Sequence, residues 1–147
     1  MHKLMFAGGV LSSTIALAAA NVQPLDVQTG LWQVTMTSKV GASPAPNTSS
    51  YTSCVTKDDL SRYPFTDPDA NCTWTVVSST GSKMEANGTC MPEGMGKVSF
   101  KMLLEAVDSK TIKGMGQLSA TGPTGPMNGT YTGAAKWVGP QCKPDRQ

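Results

Sequence analysis

Histidine is nearly absent from this chain of 147 residues: the one copy is His2. A single histidine at the extreme N-terminus excludes the Ser-His and Cys-His relays that carry most nucleophilic catalysis. Charge is scarce as well. Asp, Glu, Lys and Arg make up 15% of the residues and the formal net charge is +2. No stripe of Lys or Arg marks a nucleic acid or an anionic membrane as partner. After the first 20 residues no apolar run is long enough to span a bilayer. The four cysteines have no Cys-x-x-Cys spacing, which argues against a zinc site. Gly114-Met115-Gly116 sits inside a strand pattern with no helix after it, so it is not a phosphate loop.

The N-terminal segment is informative. Met1-His2-Lys3, an apolar stretch from Leu4, and Ala18-Ala19-Ala20 before Asn21 have the layout of a secretory signal peptide. We therefore expect a signal peptide over 1–20 and one disulfide-bonded β domain over 21–147, in the periplasm or secreted. Asn21 rather than cysteine follows the expected cut, which argues against a lipid anchor. The segment after Ala20 holds 127 residues, enough for one core.

Apolar residues alternate along most of this segment, the period of antiparallel strands. Gly30–Val40 puts Trp32, Val34 and Met36 on one face. Residues 41–50, rich in Pro and Ser, read as loop, and Tyr51–Val55 as a short strand. Thr56 would cap a helical turn with acids in its first positions. Residues 63–71 read as loop again. Asp67, Asp69 and Asn71 have calcium-loop spacing, but Cys72 replaces the required glycine and Ser78 the distal glutamate, so this is a turn.

Cys72–Ser79 and Ser82–Cys90 form a hairpin about Thr80-Gly81-Ser82. Centring on Gly81 sets Cys72 opposite Cys90, Trp74 opposite Gly88, Val76 opposite Ala86 and Ser78 opposite Met84. A slip of one residue would split the two cysteines between faces. Of three possible connectivities, this leaves Cys72–Cys90 and Cys54–Cys142. A second hairpin pairs 97–107 with 111–120 through a three-residue loop, Asp108-Ser109-Lys110, with Glu105 opposite Lys113. Met127–Val138 is the last strand. Its inward positions put Tyr131 across from Gly116 and Gly133 across from Gly114. Together with Gly129 these glycines allow either sharp curvature with room for aromatics or a cavity. The expected fold is an all-β antiparallel meander of about 6–8 strands. It forms a strongly curved sheet or open barrel with one helical turn and two disulfides.

Several landmarks in order resemble domain-of-unknown-function family 3617, short exported proteins of Gram-negative bacteria. They are Gly30-Leu31-Trp32-Gln33-Val34-Thr35, Cys54-Val55-Thr56-Lys57-Asp58-Asp59, Cys72, Cys90, Gly129-Thr130-Tyr131-Thr132-Gly133 and the Gly139–Cys142 end. The last is one residue longer than the usual glycine-to-cysteine spacing. The resemblance implies export and a disulfide-bonded β-fold, and no activity. Gly30-Leu31-Trp32 is also similar to the opening of the lipocalins, which implies a curved meander with an apolar inside and no particular ligand.

We expect no enzyme and no cofactor. Glu85 and Glu105 fall on outward strand positions, the ordinary place for solvated carboxylates. The expected role is an exported module of unknown specific function, acting by protein–protein or envelope interaction through a patch of Leu103 and Met115. These two face each other on the otherwise polar side, with Lys101, Glu105 and Lys113 as a rim. The alternative is a small carrier holding an apolar ligand against Trp32, Trp74, Phe100, Tyr131 and Trp137. A remote alternative is copper binding by the thioethers of Met91 and Met95; other methionines fall on core positions.

Overall fold

The computed structural model describes residues 22–42, 45–65, 71–92, 96–122 and 125–143. The segment read as a signal peptide, most of the acidic turn (66–70) and Met95 lie outside the described residues.

The chain runs β1 (Val22–Gln23), β2 (Gly30–Val40), β3 (Asn47–Val55), a 3-10 turn (Asp58–Ser61), β4 (Cys72–Thr80), β5 (Lys83–Cys90), β6 (Val98–Asp108), β7 (Thr111–Gly122) and β8 (Gly125–Gly139). These strands form one sheet in the order β1-β4-β5-β6-β7-β8-β2-β3. The meander expected from the alternation is there, with the β2–β3 hairpin added beyond β8. One pairing is parallel: β1 lies beside the end of β4, Val22 opposite Ser79. The sheet curls around a main core, with a smaller buried cluster of Val98, Leu118 and Ala120 beside it, and does not close.

Alternation decides which side chains enter that core. Trp32, Val34, Met84, Ala86, Met102, Leu104, Ile112 and Ala135 are buried, and Val55, Leu60, Tyr63 and Phe65 join them. Inward residues align in rows across the strands. One row is Trp74, Gly88, Phe100, Leu118 and Gly129; the next is Val76, Ala86, Met102, Gly116 and Tyr131. The glycines are covered by large neighbours rather than left empty. A Cβ on Gly88 would stand 2.5 Å from the Trp74 ring, and one on Gly129 would stand 3.1 Å from Leu118 and 2.7 Å from the Lys39 carbonyl. Each glycine gives up its side chain so that a bulky one can lie flat on a tightly curved sheet.

The structure corrects four expectations. In the first hairpin the register holds from Cys72 to Val76, but Val77 then bulges, so Ser79 rather than Ser78 stands opposite Met84. The turn is Gly81-Ser82, with Gly81 at φ +90°. A two-residue turn with glycine first matches the twist of the flanking strands, and the spare residue is absorbed as a bulge. The second hairpin does the same. Glu105 faces Lys113 and Leu103 faces Met115 as expected, but Val107 bulges and the turn is Ser109-Lys110. The Asp108 carboxylate accepts from the Lys110 N–H at 2.8 Å.

β3 begins at Asn47, well inside the segment read as loop. It pairs along β2 with hydroxyl contacts, Thr35 with Ser50 at 3.2 Å and Thr37 with Thr48 at 3.0 Å. As an edge strand exposed on both faces there, it shows no apolar alternation. Thr56, expected as the helix cap acceptor, instead donates both its N–H and its hydroxyl to the Asp59 carboxylate, at 2.8 and 2.7 Å.

Candidate functional site

The seven long strands begin and end at β4 and β3, which flank an unclosed seam. At one end of the seam the chain itself fills the gap. Leu25 donates its N–H to the Leu60 carbonyl and both side chains are buried. The segment Tyr63-Pro64-Phe65 then enters the core along β3. Its backbone is held by β3 side chains: the Tyr51 hydroxyl donates to the Phe65 carbonyl at 3.0 Å and the Ser53 hydroxyl to the Pro64 carbonyl at 3.2 Å. What remains there is a void of about 20 Å³ among Val34, Met36, Phe65, Leu104 and Ile112, room for little more than one water.

At the other end the described residues leave the seam unfilled. A cleft of about 340 Å³ lies between Ser49, Ser50 and Tyr51 of β3 and Cys72 and Trp74 of β4, floored by Phe100, Met102 and Tyr131. No charged residue is among its described lining. Its walls belong to a continuous row of rings. Trp32 meets Phe65 edge-on at 6.0 Å, and Phe65 meets Tyr63 at 6.5 Å. Tyr63 stacks on Trp74 at 3.9 Å, Trp74 leans on Phe100 at 5.9 Å and Phe100 on Tyr131 at 5.5 Å. Burial pushes the Tyr63 phenol well above the ordinary tyrosine range, reinforced by Tyr51 and Tyr131, and burial raises Tyr131 too. Both rings are therefore neutral hydrogen-bonding apolar surfaces at physiological pH. The Trp74 indole N–H is buried and has no hydrogen-bond partner among the described residues.

The five aromatic residues expected to hold a ligand thus divide. Trp74, Phe100 and Tyr131 line the cleft. Trp32 and Trp137 sit opposite each other at the filled end. Trp32 is fully buried and its Nε1 donates to the Gln28 carbonyl at 2.9 Å. Trp137 donates to the Thr29 carbonyl at 3.0 Å and lies under the Lys110 ammonium at 5.0 Å. Sequence reasoning missed Tyr63, Phe65 and Tyr51. The signal that could have found them was two aromatics around a proline in a chain with few rings to spare.

The cysteines pair as Cys72–Cys90 and Cys54–Cys142. The first borders the cleft; the second ties β3 to the segment after β8 near Trp32. On the outer face Leu103 and Met115 are 40% and 59% exposed, in a shallow groove with Glu85, Lys101, Gln117 and Thr132. Met91 is exposed, and its expected copper-binding partner Met95 lies outside the described residues. No helix among the described residues is long and apolar enough to cross a membrane.

The opening Gly-x-Trp strand, the two cysteine pairs and the Gly129–Gly133 strand follow one another in the order noted above, and a family model matches residues 27–142. The chain belongs to the family described as Protein of unknown function (DUF3617). No curated protein and no solved structure matches it. The match takes in every strand from β2 to β8 and all four cysteines. This DUF3617 chain therefore has its cleft, both disulfides and the outer patch inside the family's shared region.

Proposed function

We propose that this DUF3617 chain is a non-enzymatic exported binding module that holds an apolar group in the aromatic cleft of its seam. One observation carries the reading. A cleft of about 340 Å³ with no charged residue among its described lining is walled by stacked rings, whereas the void at the filled end holds only about 20 Å³. The volume suits a small apolar group, and the buried Trp74 N–H beside it has no partner among the described residues. The two disulfides and the N-terminal segment support export, since such bonds persist in oxidising compartments.

Titration with decanoic acid, followed by tryptophan fluorescence, tests it. A saturable change is expected, abolished in Trp74→Phe and kept in Trp137→Phe. A change that never saturates, or that persists in Trp74→Phe, would sink the proposal.

A second reading rests on Leu103 and Met115, which face each other across β6 and β7 and are both exposed. A clustered apolar pair inside a charged rim has the anatomy of a small interface centre. On this reading Leu103→Asp leaves the fold and both disulfides intact and removes binding to an envelope partner. An unchanged affinity in a folded Leu103→Asp, Met115→Lys protein would dismiss it.

A further inference from the structure

Away from the seam, the middle of the sheet carries a second and larger concavity, a groove of about 740 Å³. The row Gly88, Phe100, Leu118 and Gly129 runs along it, one residue from each of β5 to β8 in direct register. Phe100 and Leu118 pack inward with Val98 and Ala120, so the residues on either side of them along each strand face outward. One bank of the groove is the row Asn87, Lys101, Gln117, Thr130 and Lys39. The other is Thr89, Ser99, Ser119 and Asn128. Every strand from β5 through β8 to β2 is interior to the sheet. Its backbone groups are engaged, and recognition falls to the side chains.

The banks hold three amides, four hydroxyls and two ammonium groups, and no carboxylate is among their described lining. Amides and hydroxyls both donate and accept hydrogen bonds. Where β2 meets β3 the outward hydroxyls satisfy one another, Thr35 with Ser50 and Thr37 with Thr48. Along the groove no such side-chain pair forms among the described residues, and neither lysine has an ion-pair partner there. Glu85, two places from Asn87, borders the neighbouring groove of Leu103 and Met115. Lys101 and Lys39 stand three strands apart, about 14 Å at the usual strand spacing, so positive charge is spread along the groove rather than gathered at a point. No ring stands on either bank to stack a nucleic-acid base; Phe100 leans on Trp74 and Tyr131 instead. No apolar side chain stands there to enter a lipid surface.

We infer that this groove binds a linear acidic saccharide lying across the strands. Its hydroxyls would meet the amides and hydroxyls of the two banks, and its carboxylates would meet Lys101 and Lys39. Hydrogen-bonding groups with a cation at intervals complement a chain that carries hydroxyls throughout and a negative charge at intervals. The site is separate from the proposed cleft binding and stands whether or not the cleft is filled.

Calorimetric titration of the full exported chain with hexagalacturonate, its methyl ester, monomeric galacturonate and a thymidine hexanucleotide tests this. Hexagalacturonate is expected to bind saturably. The methyl ester keeps the ring hydroxyls without the charge, and the monomer cannot reach both lysines, so each should bind at least tenfold more weakly. Lys101→Gln and Lys39→Gln should each weaken hexagalacturonate binding at least fivefold at an unchanged urea midpoint. Lys113→Gln, outside the groove, should leave it as it was. Absence of hexagalacturonate binding, equal binding of the ester or the monomer, or an equal loss in Lys113→Gln would overturn the proposal. A hexanucleotide that binds as tightly as hexagalacturonate would overturn it in favour of an unselective polyanion surface.

Discussion

The two ends of the curled sheet are built from the same kinds of residue and finish differently. At the filled end two tryptophans lie across from each other and both indole N–H groups are satisfied by the carbonyls of Gln28 and Thr29. A disulfide of sequence separation 88 ties that end together. At the open end one tryptophan lies over Gly88 with its N–H unpartnered among the described residues. The disulfide there spans only 18 residues. The capped indoles sit in a filled space and hold the fold, whereas Trp74, its buried N–H unpartnered among the described residues, borders the cleft. The contrast separates structural aromatics from candidate binding ones without any reference to function.

Removing the disulfides one at a time tests this most strongly. The loop-closure estimate gives about 5 kcal/mol for Cys54–Cys142 and about 3 kcal/mol for Cys72–Cys90. Urea denaturation of Cys54→Ala, Cys142→Ala against Cys72→Ala, Cys90→Ala should show that order. Decanoic acid binding should weaken only in the second pair, whose bridge borders the cleft. Equal loss of binding in both would mean that the two ends are not separable.

Truncating the tryptophans sharpens the comparison. Trp32→Ala empties a fully buried site and should cost about 3–5 kcal/mol, read as a lower urea midpoint. Trp74→Phe keeps a ring over Gly88, so its stability loss should be under about 1.5 kcal/mol, with cleft binding gone. Stability losses of the same size would erase the distinction drawn here.

Tyr63 lies between the ends, and its response should be the smallest. Burial raises its phenol above the ordinary value, so the folded state keeps the proton that the unfolded state releases near pH 10. The unfolded chain then binds fewer protons, and stability must fall as pH rises above about 10. Below that pH the contribution is intact. Urea midpoints should decline from pH 10 to 12 in the parent protein and decline less steeply in Tyr63→Phe. Parallel slopes would place Tyr63 in a wetter setting than the stacking implies.

Much of the sheet was legible because alternation is a strong signal wherever one face is dry. Trp74 over Gly88, Leu103 opposite Met115 and the Cys72–Cys90 bridge follow from matching faces across strands, and the Cys54–Cys142 bridge then follows by elimination. Where both faces are wet the signal vanishes, which is why the first half of β3 reads as loop although its hydroxyls bind β2. The bulges escaped because periodicity fixes faces but not turn length, and the two-residue turn won over the three-residue one. Tyr63 and Phe65 were missed for another reason. They reach the core from a segment without regular structure, so no period announces them, and with them the distinction between filled and open ends was lost. The candidate site was therefore half visible: its strand residues could be named, its boundary could not.

The paired bulges have a consequence for how this chain can change over generations. Val77 and Val107 stand outside the ladder and are 41% and 52% exposed. If either codon were deleted, the residues on both sides would fall into consecutive pairing: Val76 with Ala86 and then Ser78 with Glu85, or Ala106 with Ile112 and then Asp108 with Thr111. Every inward side chain would keep its place, and only local twist would be lost. A single-residue deletion, ordinarily among the most disruptive edits to a β-sheet, has two positions here where it leaves the register intact.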